Sequence, residues 1–185
     1  MTSIEDTQSF FNSYLDIDYA GNTAVYSESD ETVNELREES MTFWHALPGV
    51  QLSPTFGRPM GMPVEQLAQL AATVELARRA LFLVAEYSDP TWGKLYAAYI
   101  GGDRESTARS YGGLLYAAEI NGNLKIIASY REDIDQLPPP VRWRHSQGAE
   151  IDPPKTAVSV HPLEAPTGRA AHRQDWEALR DAATR

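Results

Sequence analysis

The sequence predicts an α+β fold in which N-terminal helices pack on a bent antiparallel sheet. Three observations carry this. Capped helical periods fill the first third of the chain, two strand-like apolar runs follow, and 111–131 then reads YGGLLYAAEINGNLKIIASYR. In that stretch two apolar runs flank Asn121-Gly122, the preferred centre of a type I′ hairpin because both central residues need positive φ.

Taken in order, Thr2-Ser3-Ile4-Glu5 matches a capping box, and Phe10, Phe11, Tyr14, Leu15 and Asp18 recur at three- and four-residue spacing. A first helix is expected over 3–19, ended by Gly21-Asn22. Asp30 can cap a second helix that buries Val33, Leu36, Ser40, Phe43, Trp44 and Leu47 and turns Glu31, Glu35, Glu38 and Glu39 outward. Pro48-Gly49 stops it. The prolines at 54 and 59 leave room only for short edge strands, near 50–52 and 55–56. Pro63 suits the first position of a third helix, with Val64, Leu67, Ala68, Ala71 and Val74 as its stripe, Glu75 and Arg79 as an i,i+4 pair, and an end near Arg79.

The pattern then changes. Leu81 to Ala85 is a continuous apolar run before Ser88-Asp89-Pro90, which suits a central strand; continuation of the third helix through Val84 is the rival. Lys94 to Ile100 reads as the next strand, and a loop over 101–110 leads into the hairpin, making an antiparallel meander of four strands. With Asn121 and Gly122 as the loop, the expected pairs are Ile120 with Asn123, Glu119 with Leu124, Ala118 with Lys125, Ala117 with Ile126, Tyr116 with Ile127 and Leu115 with Ala128. One face then carries Leu115, Ala117, Leu124, Ile126, Ala128, Tyr130 and Glu119; the other carries Leu114, Tyr116, Ala118, Ile120, Ile127, Lys125 and Ser129. Both faces are apolar. Helices should cover one, and a cavity, a partner or the chain's own tail the other.

The 185 residues divide into a helix-plus-sheet domain over 1–131 and a proline-rich extended tail over 132–185. Val141 and Trp143 are candidate anchors of that tail, and a short helix is expected over 170–183. Cysteine is absent, which removes disulfides and thiolate chemistry. The N-terminus has no basic stretch leading into an apolar core, and no window approaches the roughly 18 apolar residues of a membrane span. The expectation is a soluble, cytoplasmic protein with no membrane partner.

Of the 26 acidic and 16 basic side chains, ten acidic and one basic, Arg37, fall within residues 1–50, so nearly all of the net charge of −10 is N-terminal. Such a field repels nucleic acid and favours a cationic partner, although a solvated helix face would read the same way. His45, His145, His161 and His172 are scattered without HxxxH spacing, so no metal is expected. Neither a GxSxG elbow nor a phosphate loop occurs, and Gly101-Gly102 and Gly112-Gly113 read as loop and strand-entry glycines. No cofactor is expected.

Three helices followed by a four-stranded meander resemble the nuclear transport factor 2-like (cystatin-like cone) fold, and Tyr116 to Tyr130 with its Asn-Gly turn looks like its last two strands. The resemblance covers about residues 3–131 and implies a bent sheet wrapping a long helix around a pocket. Bacterial members include enzymes, ligand-binding domains and immunity proteins that block toxins; GGLLYAAEINGNLKIIASY looks most like the immunity type. Enzymes of the class pair a carboxylate base with tyrosine donors. Tyr14 and Asp18 lie one helical turn apart, and Tyr99, Tyr116 or Glu119 could face them across such a pocket, with Trp44 nearby. Ordinary amphipathic core packing is the competing reading of Tyr14, Trp44 and Tyr116, and a solvated helix end that of Asp18. Trp143 between Arg142 and Arg144 could bind an anion or dock on the sheet.

Two functions compete. In one, a non-enzymatic, immunity-type protein binds a basic protein partner through Glu31, Glu35, Glu38 and Glu39. In the other, the cone interior takes a small apolar ligand or performs proton transfer of the isomerase or dehydratase kind. A homodimer is compatible with either.

Overall fold

The computed structural model describes residues 2–47, 56, 62–71, 79–102, 111–133, 145–149 and 159–162. They form three helices, α1 (Ile4–Ser27), α2 (Asp30–Thr42) and α3 (Val64–Ala71), and six strands, β1 (Arg79–Asp89), β2 (Gly93–Gly102), β3 (Tyr111–Ile120), β4 (Asn123–Asp133), β5 (His145–Gly148) and β6 (Ser159–Pro162). All strands join one curled antiparallel sheet in the order β5-β4-β3-β2-β1-β6. The helices pack on one face, giving the α+β, cone-like architecture that the sequence predicts.

α1 begins one residue later than the capping box read from the sequence. Ser3 Oγ accepts from Asp6 N at 3.1 Å, and Asp6 Oδ2 accepts from Ser3 N at 3.2 Å. The Ser3 hydrogen bonds hold the Asp6 carboxyl below its usual range. The helix also runs past Gly21-Asn22 to Ser27. A β-carbon at Gly21 would lie 2.2 Å from Phe56 Cζ, so the glycine is a seat for that buried ring and not a stop signal. Asn22 Nδ2 donates to the Asp18 carbonyl one turn back, at 2.7 Å, which keeps its side chain on the helix.

The N-cap of α2 is Ser29, whose hydroxyl accepts from Thr32 N, and Asp30 is the first helical residue. Val33 and Ser40 are buried, whereas Leu36 and Leu47 are half-buried. The helix ends at Thr42, before Trp44 and before Pro48-Gly49, which lies outside the described residues. What stops it is β4: Ile126 N donates to Phe43 O at 2.7 Å, and His45 N donates to Ile126 O at 2.9 Å. Trp44 therefore sits in an isolated bridge to Ile126 and not on the helical stripe. Lys125 Nζ donates to the Thr42 carbonyl, placing a cation at the negative end of α2, whose last turn has none of its own.

α3 follows Pro63 and buries Leu67, but Ala68 is exposed, and the helix is described only to Ala71. Arg79 opens β1 instead of closing α3, and Glu75, its expected helical partner, lies outside the described residues. Strand wins over helix for 81–85 because this run pairs on both sides, with β2 and β6. The expected edge strands near 50–52 and 55–56 lie outside the described residues, apart from Phe56, which is buried and not in a strand. The candidate anchors Val141 and Trp143 and the helix over 170–183 also lie outside.

The hairpin turns where the sequence places it, with Asn121 at φ 52° and Gly122 at φ 80°. Pairing follows the expected register from Ile120↔Asn123 to Ala117↔Ile126, then shifts so that Tyr116 faces Ala128. Ile127 is the extra residue of a β-bulge, and Ala128 crosses from the helix-covered face to the opposite one. A second bulge at Phe82 separates Leu81 and Leu83 onto opposite faces.

Both faces are dry. The helix-covered core joins Phe11, Tyr14, Leu15 and Trp44 to Val84, Tyr96, Ala98, Leu115, Ala117 and Ile126. The second core contains Leu83, Ala85, Tyr87, Leu95, Ala97, Tyr99, Leu114, Tyr116 and Ile127, and none of its members comes from a described helix. Each large apolar side chain withdrawn from water contributes roughly 1.5–3 kcal/mol, so two-sided burial is the main force holding the sheet.

Candidate functional site

The pocket residues expected from the sequence separate into three places. Tyr14 and Trp44 meet in the helix-covered core, where Trp44 Nε1 donates to Tyr14 Oη at 3.3 Å and the rings pack edge to face at 6.3 Å. The Tyr14 and Phe43 rings are 5.7 Å apart. Asp18 is buried at 4 % exposure on the same side of α1, so it is not a solvated helix end. Strand alternation puts Tyr99 and Tyr116 on the other side of the sheet from Ala98, Leu115 and Ala117, the residues that face the helices. The backbone layer between them keeps these phenols from facing Tyr14 and Asp18.

On that second face Tyr87 and Tyr99 share a hydroxyl hydrogen bond of 3.2 Å. Burial pushes both phenols above their ordinary pKa; the neighbouring Tyr87 and Tyr116 push Tyr99 further. Tyr87 was not among the candidates from the sequence. Its signal was parity: counted along β1 and β2, residues 83, 85, 87 and 95, 97, 99 fall on one face.

Glu119 is exposed, at the third place, beside the start of α1. It accepts from Thr2 Oγ1 at 2.8 Å, and that hydrogen bond lowers its pKa. Close by, Lys94 pairs with Glu86 at 3.1 Å and lies 5.9 Å above the Tyr96 ring. Glu86 first, then Tyr96, raises the Lys94 pKa. Tyr96 Oη donates to the Thr2 carbonyl at 3.4 Å. These groups fasten the helix start to the sheet and are partnered by one another.

The acidic surface of α2 is arranged differently. Glu31, Glu35, Glu38 and Glu39 are all exposed, on the side away from buried Val33 and Ser40. Positions 31, 35 and 38 follow helical spacing into one stripe, with Glu39 beside it. Arg37 leaves this face: its Nε donates to the Phe56 carbonyl at 3.3 Å, and Nη1 donates to Asn34 Oδ1 at 3.2 Å. The four carboxylates have no ion pair among the described residues. Arg142, Trp143 and Arg144 lie outside those residues.

Among the described residues no group of three histidine, cysteine or acidic side chains could hold a metal ion, and no helix is long and apolar enough to cross a membrane. Comparison of the chain with protein-family models, curated proteins and solved structures gave no match.

Proposed function

We propose that the protein is a non-enzymatic binding protein that presents the outer face of α2 to a basic protein partner. One observation carries this reading: Glu31, Glu35, Glu38 and Glu39 point to solvent in one patch, while the single basic residue of that helix is engaged with Phe56 and Asn34. Uncompensated carboxylates on a rigid helix accelerate the encounter with a cationic surface and exclude anionic competitors. A toxin neutralised by such a face is the case that the immunity-type resemblance implies. The proton-transfer alternative has less support, because its carboxylate and two of its phenols lie on opposite sides of the sheet.

Carbodiimide cross-linking in cells that express the full chain tests the proposal, since it joins carboxylates to lysines in direct contact. The expected cross-links run from Glu31, Glu35, Glu38 or Glu39 to lysines of one protein with net positive charge. Reversing the four glutamates to lysine should abolish them, and the affinity of the purified pair should fall steeply between low and physiological salt. A partner that binds equally well after charge reversal, or equally well at high salt, overturns the reading.

A further inference from the structure

Asn121 is exposed at the tip of the β3–β4 hairpin, and it is the only asparagine of the chain that is followed by glycine. Asn12, Asn22, Asn34 and Asn123 stand in helices or at the start of a strand, each with a side chain on the next residue. Apart from the chain neighbours, nothing lies within 4 Å of a β-carbon built at Gly122, so the turn is open to water. We propose that Asn121 is a self-modification site, converted in the folded protein to aspartate or isoaspartate, and that the Asn123 side chain is the catch that slows the conversion.

The chemistry needs only water. The Gly122 backbone nitrogen gives its proton to solvent and attacks Asn121 Cγ. The new N–Cγ bond closes a succinimide ring, the Cγ–Nδ2 bond breaks, and the side-chain nitrogen takes up a proton from solvent and leaves as ammonia. Water then opens the ring, at Cγ to give aspartate or at the backbone carbonyl carbon to give isoaspartate. Nothing is oxidised or reduced. Gly122 favours the attack because its nitrogen has no side chain beside it.

Turn geometry sets the rate. The first central residue of a type I′ turn has φ about +60° and ψ about +30°. Asn121 at φ 52° and Gly122 at φ 80° fit that class. At such a ψ the Gly122 nitrogen is nearly anti to Asn121 Cβ and cannot reach Cγ. Ring closure needs it nearly syn, with ψ about −120°, the value that the same residue takes in a type II′ turn. A flip of the 121–122 peptide interconverts the two turns while leaving Ile120 paired with Asn123. The flip takes Gly122 to negative φ, which glycine adopts as readily as positive φ. Asn123 Nδ2 donates to the Asn121 carbonyl at 3.2 Å, and this carbonyl swings away in the flip. The Asn123 side chain therefore holds the peptide in its unreactive orientation.

The test incubates the full-length protein at mildly alkaline pH, natively and in urea, and maps aspartate and isoaspartate by proteolysis and mass spectrometry. In the native parent, modification should concentrate at Asn121 while Asn34 in α2 keeps its amide. Asn123→Ala removes the donor and should speed native conversion at Asn121 by roughly 2- to 10-fold, the range that one neutral hydrogen bond spans, with the rate in urea unchanged. Asn123→Val also lacks the donor, suits the start of a strand, and should act the same way, so one variant that fails to fold leaves the other as the test. Amide protection retained at 114–117 shows that the hairpin is intact. The proposal is overturned if native Asn121 keeps its amide as long as Asn34 does, or if a folded Asn123 variant converts at the native rate of the parent.

Discussion

Gly21 of α1 lies directly against the ring of Phe56, so close that a β-carbon on the glycine would overlap Cζ at 2.2 Å, with Cε1 and Cε2 at 2.3 and 2.4 Å. A ring thus fills the space that a helical side chain would occupy, and Phe56, Ala24, Val25 and Val33 form a small core between α1 and α2. The residue that locally favours ending the helix is the one that the packing requires inside it.

Gly21→Ala sets two effects of opposite sign against each other. Helix propensity favours alanine by about 1 kcal/mol. The overlap with a buried ring costs typically 1–3 kcal/mol and displaces Phe56. Overpacking should win, with a net loss of up to about 2 kcal/mol in urea denaturation. A stabilised Gly21→Ala protein would show that Phe56 does not hold that position.

Gly122 tests the hairpin with no packing contribution, since nothing lies within 4 Å of a β-carbon built there. Its φ of 80° leaves only the conformational cost of placing an L side chain in the left-handed region, roughly 1–2 kcal/mol. Gly122→Ala should lower stability by that amount, read from the denaturation midpoint at unchanged m-value. Asn121, at φ 52°, tolerates the same region better because its side chain is short and polar.

These two glycines show what was legible in the sequence. The turn at 121–122 was, because local backbone geometry decides it and both flanking runs agree. So was the strand order from β1 to β4, and so was the need to cover both faces. The extension of α1 to Ser27 was not, because its cause sits 35 positions away at Phe56. Nor was the bulge at Ile127. Nothing within KIIASY marks one residue as extra; the bulge falls where the outer neighbour of β4 changes from the Phe43–His45 segment to β5, and Ala149 takes the Ile127 carbonyl. The expected tyrosine pocket failed for another reason: Tyr99 and Tyr116 alternate with Ala98, Leu115 and Ala117, and periodicity alone does not decide which of two apolar faces the helices cover. The acidic stripe of α2 was readable since it depends only on helical period, whereas the inward turn of Arg37 toward Phe56 was not.

The Tyr14 hydroxyl accepts from a buried indole, and this predicts an asymmetric mutational response. Tyr14→Phe keeps the ring contacts with Trp44 and Phe43 but leaves the Trp44 N–H facing apolar surroundings. A donor deprived of its acceptor inside a protein costs about 1–3 kcal/mol, more than the hydrogen bond itself contributes net. Trp44→Phe removes the donor as well and should lose mainly packing. In a double-mutant cycle the two substitutions together should therefore cost less than the sum of the singles, with a coupling of at least about 0.5 kcal/mol. Strict additivity would mean that the contact carries no energy.

The phenols of the second face make stability fall in alkali. Burial raises the pKa of Tyr99, and also of Tyr87, above the ordinary value of 10.0, so the folded protein keeps protons that the unfolded chain releases. The unfolded state then binds fewer protons, and stability decreases as pH rises through and beyond the unfolded pKa. The contribution is fully present below about pH 10 and declines above it by about 1.4 kcal/mol per pH unit for each phenol held neutral. Urea midpoints should be nearly flat in this contribution up to about pH 9.5 and fall steeply beyond. Tyr99→Phe should be less stable at neutral pH, since Tyr87 loses its 3.2 Å partner, yet shallower in its alkaline decline by one phenol's worth of slope. Tyrosinate absorbance supplies the independent check: Tyr87 and Tyr99 should ionise only as the protein unfolds. Equal alkaline slopes for parent and Tyr99→Phe, or early ionisation of the buried pair, would place Tyr99 in contact with water and break the two-faced core on which the sheet depends.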